Sequence, residues 1–275
     1  MPGICHDGYL TRRHVLSSTG AIVAATVAAH DVAAATVDPS RIVVTARGRA
    51  CTFVDLTHRL TRDFNFNQAT PRIAMEPIVG SGKAVGMHLN RLTLVEHTGT
   101  HIDAPSHFAA DGRNLGELAL KDLIVPLAVI DIRDKARSDP DAAVERADIL
   151  RWEARHGRLP AGCCVACWSG FDPVRDFVER MKLPRHPCPG FGIDAADMLI
   201  NDRDVKGIAV DAMSIDTGTN GPAYPVHIAW LHSGRWGIEG MAGLDQVPAA
   251  GATLIVGVPP VDGATGMPIR AIAMF

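Results

Sequence analysis

The sequence has no surplus of charge of either sign. Its 27 Lys and Arg stand against 30 Asp and Glu, a formal balance of −3, and charged residues make up 21% of the 275 positions. That excludes the basic groove a nucleic acid requires and the basic face of a membrane-surface protein. The apolar stretch 15–29 falls short of the roughly 20 residues that a ~30 Å hydrocarbon core demands of a spanning helix. No internal repeat or low-complexity linker follows residue 40, so repeat architectures drop out and one domain over 36–275 fits the length. Hydrophobic residues, at 47%, are ample for its core.

What is present begins with an unusual N-terminus. In "TRRHVLSSTGAIVAATVAA" the pair Arg12-Arg13 precedes a small-residue apolar run. This predicts an export signal over 1–35, Tat-like in its twin arginines, and hence a periplasmic or secreted protein with no membrane span in its mature form. Val15 and Ser17 stand where a Tat signal commonly has Phe and Lys. Removing 1–35 takes two charges of each sign and leaves the balance unchanged.

Of six cysteines, Cys5 departs with the signal, and the five that remain cannot all pair. The C-x-x-C in "GCCVACWSG" invites a metal or redox reading. It lies in a short apolar run that reads as a strand, where residues three apart point to opposite faces, so Cys164 and Cys167 are expected to be core.

Apolar runs at 41–46, 91–97, 125–133, 163–168, 205–211, 235–241, 252–258 and 269–275 predict strands. Helices are expected at 141–157, 172–182, 194–201 and 225–232, the first closed by Gly157. Strands outnumber helices without a strict βαβ rhythm, which gives a β-rich α/β domain.

The densest chemistry is "HTGTHIDAPSHF", residues 97–108. His97, His101, Asp103 and His107 are all odd-numbered, so an extended chain projects them from one side. A helix would align 97 with 101 but turn 103 away by about 120°, and Gly99 and Pro105 also oppose a helix. Gly99 leaves room between two imidazoles, and Pro105 can begin a turn that folds His107 back. Imidazoles and a carboxylate without thiolate suit Zn²⁺, Mn²⁺ or a similar divalent ion. A second cluster, "YPVHIAWLHSGRWGIEGM", has His227 opening a short helix and Glu239 in the strand after Gly234. A helix end and the next strand can place two side chains at one point. His232 lies about 140° round the helix from His227.

The gapless pattern His-x-Gly-Thr-His-x-Asp-x-Pro-x-His resembles the signature of the cyclase family of metal-dependent hydrolases, which includes bacterial kynurenine formamidase and isatin hydrolase. "DLTHRLTRDFNF" (55–66) and "VDAMSIDTG" (210–218) are similar to further family segments, and His227 and Glu239 keep the formamidase spacing of twelve. The likeness covers about residues 52–258. It implies a single-domain, β-rich swivelling β/β/α fold and a homodimer or homotetramer. It also implies His97, His101 and Asp103 as metal ligands, with His227 and Glu239 completing a second position where one exists. The formamidases carry a substrate-holding Trp on the N-terminal segment; here Phe64 and Phe66 stand nearest. The C-terminal stretch 251–275 is closer to the isatin-hydrolase branch, which uses one Mn²⁺ on the first three ligands. One ion or two, Mn²⁺ or Zn²⁺, thus stay open.

A cation on these ligands would polarise a carbonyl and acidify water, and His107 is the expected general base. Trp168 and Phe171 are candidates to hold a flat substrate, with core packing as the alternative. The reading is a metal-dependent hydrolase of a small cyclic amide such as an isatin-like lactam, or else of an aryl formamide. The rival is an exported metal- or ligand-binding protein without turnover, which the presence of His107 disfavours.

Overall fold

Four apolar segments, IVPLAVID, CVACW, GIAV and WGIE, lie side by side at the centre of one large sheet. The computed structural model describes residues 40–46, 49–61, 64, 73–79 and 87–275. The expected export signal and Phe66 lie outside the described residues. Residues Asp38–Phe275 cluster as one unit.

In chain order the first seven strands are β1 (Arg41–Ala46), β2 (Arg49–Asp55), β3 (Ala74–Val79), β4 (Leu89–Thr93), β5 (His101–Asp103), β6 (Ile124–Asp131) and β7 (Ala143–Val144). Then follow β8 (Cys164–Trp168), β9 (Gly190–Phe191), β10 (Gly207–Val210), β11 (Trp236–Glu239), β12 (Ala252–Gly257), β13 (Gly266–Pro268) and β14 (Arg270–Met274). The helices are α1 (Leu120–Leu123), α2 (Arg133–Ser138), α3 (Arg146–His156), α4 (Pro173–Met181), α5 (Ile193–Asn201) and α6 (Pro225–His232). Ten strands form the sheet in the order β1-β2-β14-β12-β6-β8-β10-β11-β5-β13. Pairs β6–β8, β8–β10 and β10–β11 are parallel, and the flanks are antiparallel. This is the mixed, sheet-rich α/β domain expected.

The parallel strands are apolar up to their last residues, Asp131 and Glu239 among them, because both of their faces are covered. Val165 and Cys167 enter one core with α3, α5 and α6, while Cys164 and Ala166 enter the core of the other face. Cys164 and Cys167 therefore point apart, as alternation requires. All five described cysteines are free, and burial pushes the Cys163 and Cys188 thiols up to about 12, which leaves them inert.

The helix expected over 141–157 starts only at Arg146. The Asp148 carboxylate accepts the Glu145 N–H at 2.8 Å and sets that start, while Ala143–Val144 pairs with β9 instead. Gly157, at φ +88°, ends the helix. Strand β4 ends at Thr93, ahead of the expected 97, and α2 was not foreseen because it buries no residue and so has no apolar period to read.

The site depends on β5 and β11. Ile102 lies opposite Ile238, and both are fully buried. Each contributes roughly 1.5–3 kcal/mol by burial, and a one-residue slip would move both to the other face. That register brings His101 and Glu239, also paired, out together on the α6 side.

Candidate metal centre

Strand β5 is only three residues long, held between β11 and β13. His101 and Asp103 share its face as alternation dictates. His97 does not reach them along an extended chain, because Gly99 sits at φ +67° and turns the backbone. At that φ any side chain is strained, and a Cβ would also displace the Leu60 side chain, so this turn favours glycine. The turn swings His97 back until its Nδ1 lies 2.7 Å from Asp103 Oδ1. Pro105–His107 then forms a 3₁₀ turn that stacks the His107 ring on His97, centroids 3.8 Å apart. All four motif side chains thus converge, but by two turns rather than one extended face.

The remaining donors arrive from α6 and β11. His227 Nε2 stands 3.1 Å from Glu239 Oε1 and 3.8 Å from Asp103 Oδ2. His101 Nε2 stands 3.4 Å from both Asp103 Oδ1 and Glu239 Oε2. His232 points elsewhere, to the Phe108 carbonyl.

Three imidazoles have their second nitrogen committed. His101 Nδ1–H donates to the Gly99 carbonyl at 2.9 Å, which can only accept. His227 Nδ1–H donates to Asp216 Oδ2 at 2.7 Å. His97 Nε2 meets Thr265 Oγ1 at 3.1 Å, and that hydroxyl is already donated to Glu96 at 2.6 Å. Neutral rings so arranged present lone pairs, not protons, to the carboxylates of Asp103 and Glu239. Lone pairs facing lone pairs require a proton or a cation between them. Asp103 Oδ2, buried, has no hydrogen-bond partner among the described residues. The donor set therefore fits a divalent cation bound by nitrogen and oxygen.

Electrostatics show the same demand for positive charge, which protons on His101 and His227 meet where no cation stands. Burial opposes the His101 imidazolium, yet Asp103 and Glu239 outweigh it and raise the pKa to about 9. Burial likewise opposes charge on His227, and Asp216 and Glu239 raise it to about 10. Burial pushes the Asp103 carboxyl upward, but His101 and His97 hold it well below its ordinary value. His107 differs: burial lowers its pKa, against the pull of Asp103, so it stays neutral near pH 7. Among the described residues two sets of three donors lie within 4.8 Å, His97–Asp103–His107 and His101–Asp103–Glu239, sharing Asp103. His107 is thus placed where it can also act as a ligand, a position the spacing of the motif alone does not reveal.

The expected substrate residues that the structure describes are not gathered here. Trp168 projects from the end of β8 to the face opposite the donors, with the Arg133 guanidinium 3.4 Å over its ring. Phe171 is core. Phe64 is buried against the Gly99 turn. The aromatic rings that do border the cluster are Phe108, 4.8 Å from both His107 and His227, and Tyr224, 5.6 Å from His227. Sequence reasoning missed both, although Phe108 directly follows His107 and Tyr224 opens the second cluster. It also missed Asp216, wholly buried, which accepts the Val226 and His227 N–H groups as well as the His227 ring. Its signal was its place inside "VDAMSIDTG".

Known proteins resemble this chain in sequence and in fold. The cyclase family model, described as "Putative cyclase", matches residues 54–217. An isatin hydrolase of Roseibium aggregatum is 32% identical over 67% of this chain and 74% of its own. A kynurenine formamidase of Salinibacter ruber is 27% identical over 68% of this chain and 79% of its own. The structure of isatin hydrolase A from Labrenzia aggregata bound to benzyl benzoate superposes with a TM-score of 0.71 at 28% identity, over 82% of this chain and 93% of that one. The family match spans more than half of the sequence and takes in the whole His97–His107 motif, and the chain belongs to the cyclase family.

Proposed function

We propose that this protein is a metal-dependent hydrolase of small cyclic amides, opening an isatin-like lactam to an amino acid. The observation that carries it is the set of three imidazoles, each with its outer nitrogen committed to a partner and its inner nitrogen aimed at two buried carboxylates. His97, His101, Asp103, His227 and Glu239 would hold one or two divalent ions, Mn²⁺ or Zn²⁺. When bound, such an ion supplies Lewis acidity, which polarises a carbonyl and brings the deprotonation of water toward neutral pH.

The protein's own groups supply the rest. Burial keeps His107 neutral, so its ring can take a proton as water adds to the carbonyl carbon. It returns that proton to the nitrogen as the C–N bond breaks, leaving carboxylate and amine. Phe108 and Tyr224 offer an aromatic wall against which a flat substrate can lie. Lactam opening is favoured over formamide hydrolysis by the higher identity to the isatin hydrolase and by the C-terminal stretch. Assays of the purified protein with isatin, N-formylkynurenine and simple lactams test this. Turnover of isatin above the others supports the reading, and turnover of formylkynurenine alone replaces it with the aryl-formamide reading.

The reading extends to an exported homo-oligomer. Arg12-Arg13 and the apolar run after them support export. Among the described residues no helix is long and apolar enough to cross a membrane. The β3–β4 hairpin leaves Ile78, Leu89 and Leu92 at 52%, 47% and 53% exposure. A two-stranded sheet has little stability of its own, and these side chains support burial against a second copy of the chain.

A further inference from the structure

We infer that Glu96 and Thr265 are positioning residues that make His97 offer Nδ1, rather than Nε2, to a cation. Resting on the metal-centre reading, the inference goes beyond it by assigning roles to two residues outside the donor cluster. A carboxylate can only accept, and Glu96 Oε2 takes both the Thr265 hydroxyl at 2.6 Å and the Thr265 N–H at 3.1 Å. With its proton committed, Thr265 Oγ1 offers only lone pairs to His97 Nε2, 3.1 Å away. That nitrogen must then carry the hydrogen. In the neutral ring Nδ1 then keeps a lone pair, 2.7 Å from Asp103 Oδ1, for the cation that takes the place of the proton between them.

His97 is thereby reversed relative to its neighbours. His101 and His227 donate from Nδ1 and present Nε2. The reversal follows from the turn at Gly99, which brings His97 in from the far side and leaves its Nε2 against the segment before β13. The next residue, the first of β13, completes the placement. A Cβ on Gly266 would stand 2.5 Å from His97 Cε1, so the ring lies directly on that backbone. Thr265 thus sets the proton and Gly266 the ring position, while Glu96, adjacent in sequence to His97, orients the hydroxyl. Such outer partners are commonly worth 10–100-fold in metal affinity.

The test uses zinc binding to the full chain together with the imidazole ¹⁵N spectrum of the zinc-loaded protein. In the wild type, one coordinated histidine should be protonated at Nε2 and bound through Nδ1. Thr265→Val should weaken zinc by about 10–100-fold and lose that signature, whereas Thr265→Ser should keep both. Glu96→Ala frees the hydroxyl to donate to Nε2. It should therefore scramble the tautomer, and it carries the test if the valine variant does not fold. Wild-type affinity and an unchanged spectrum in Glu96→Ala or Thr265→Val would overturn the inference. So would a wild-type spectrum with every coordinated histidine bound through Nε2. A wild type that binds no zinc or other divalent ion would overturn the metal-centre reading itself, and the inference with it.

Discussion

His107 occupies the position in the cluster where two roles meet. Its ring stacks on His97 and lies within donor range of Asp103, yet burial lowers its pKa and keeps it a base near neutral pH. If it moves protons, His107→Ala keeps its bound cation and loses rate by roughly 10²–10⁴-fold. Metal analysis of that variant decides between the roles, since loss of the cation would make His107 a ligand. Asp216 illustrates a different residue-scale dependence. Its two oxygens accept from the Val226 and His227 backbones and from the His227 ring. In Asp216→Asn one acceptor becomes an N–H donor facing other donors. That should cost about 1–3 kcal/mol of folding stability and about 10–100-fold in metal affinity. Denaturant unfolding and metal titration read the two effects separately, and unchanged affinity would deny Asp216 its role in setting the His227 tautomer.

At the scale of elements, alternation on β5 made His101 and Asp103 legible, because a strand obeys period two regardless of its partners. The same rule failed for His97, since Gly99 adopts a positive φ that no periodicity reports. Thr265 reaches His97 across 168 residues, and such a contact exists only once β13 has paired with β5. Trp168 closes a run that predicts a strand, and the alternation that turns Cys164 and Ala166 away from the donors turns Trp168 with them, paired with Asp131 of β6. That same end of the sheet carries a pH-sensitive group. Asp211, just beyond β10, is raised by burial to about 7, although Ser169 and Gly170 donate to it. An unfolded Asp titrates near ~3.9. Between about pH 4 and 7 the folded protein keeps a proton that the unfolded chain has lost. The stability this contributes is full at low pH and is lost as pH rises through 7. Asp211→Asn preserves the hydrogen-bond pattern, with its amide donating to the Ser169 hydroxyl. It should flatten that part of the stability–pH profile, and an unchanged slope would assign the titration elsewhere.

The whole molecule carries a hydrolytic centre on the α6 face of the sheet and an exposed apolar pair of strands at β3–β4. Light scattering of the purified chain should give a dimer or tetramer, and Leu92→Glu should shift it toward monomer; a monomeric wild type would contradict that part. The central claim is that the His97–His107 cluster, with His227 and Glu239, works by holding a divalent cation. The most direct measurement is a titration of Mn²⁺ or Zn²⁺ into chelator-treated protein, following isatin ring opening. The account predicts negligible turnover without the cation, a rate that rises in proportion to cation bound, and saturation at one or two equivalents per chain. Undiminished turnover by the cation-free protein would contradict it.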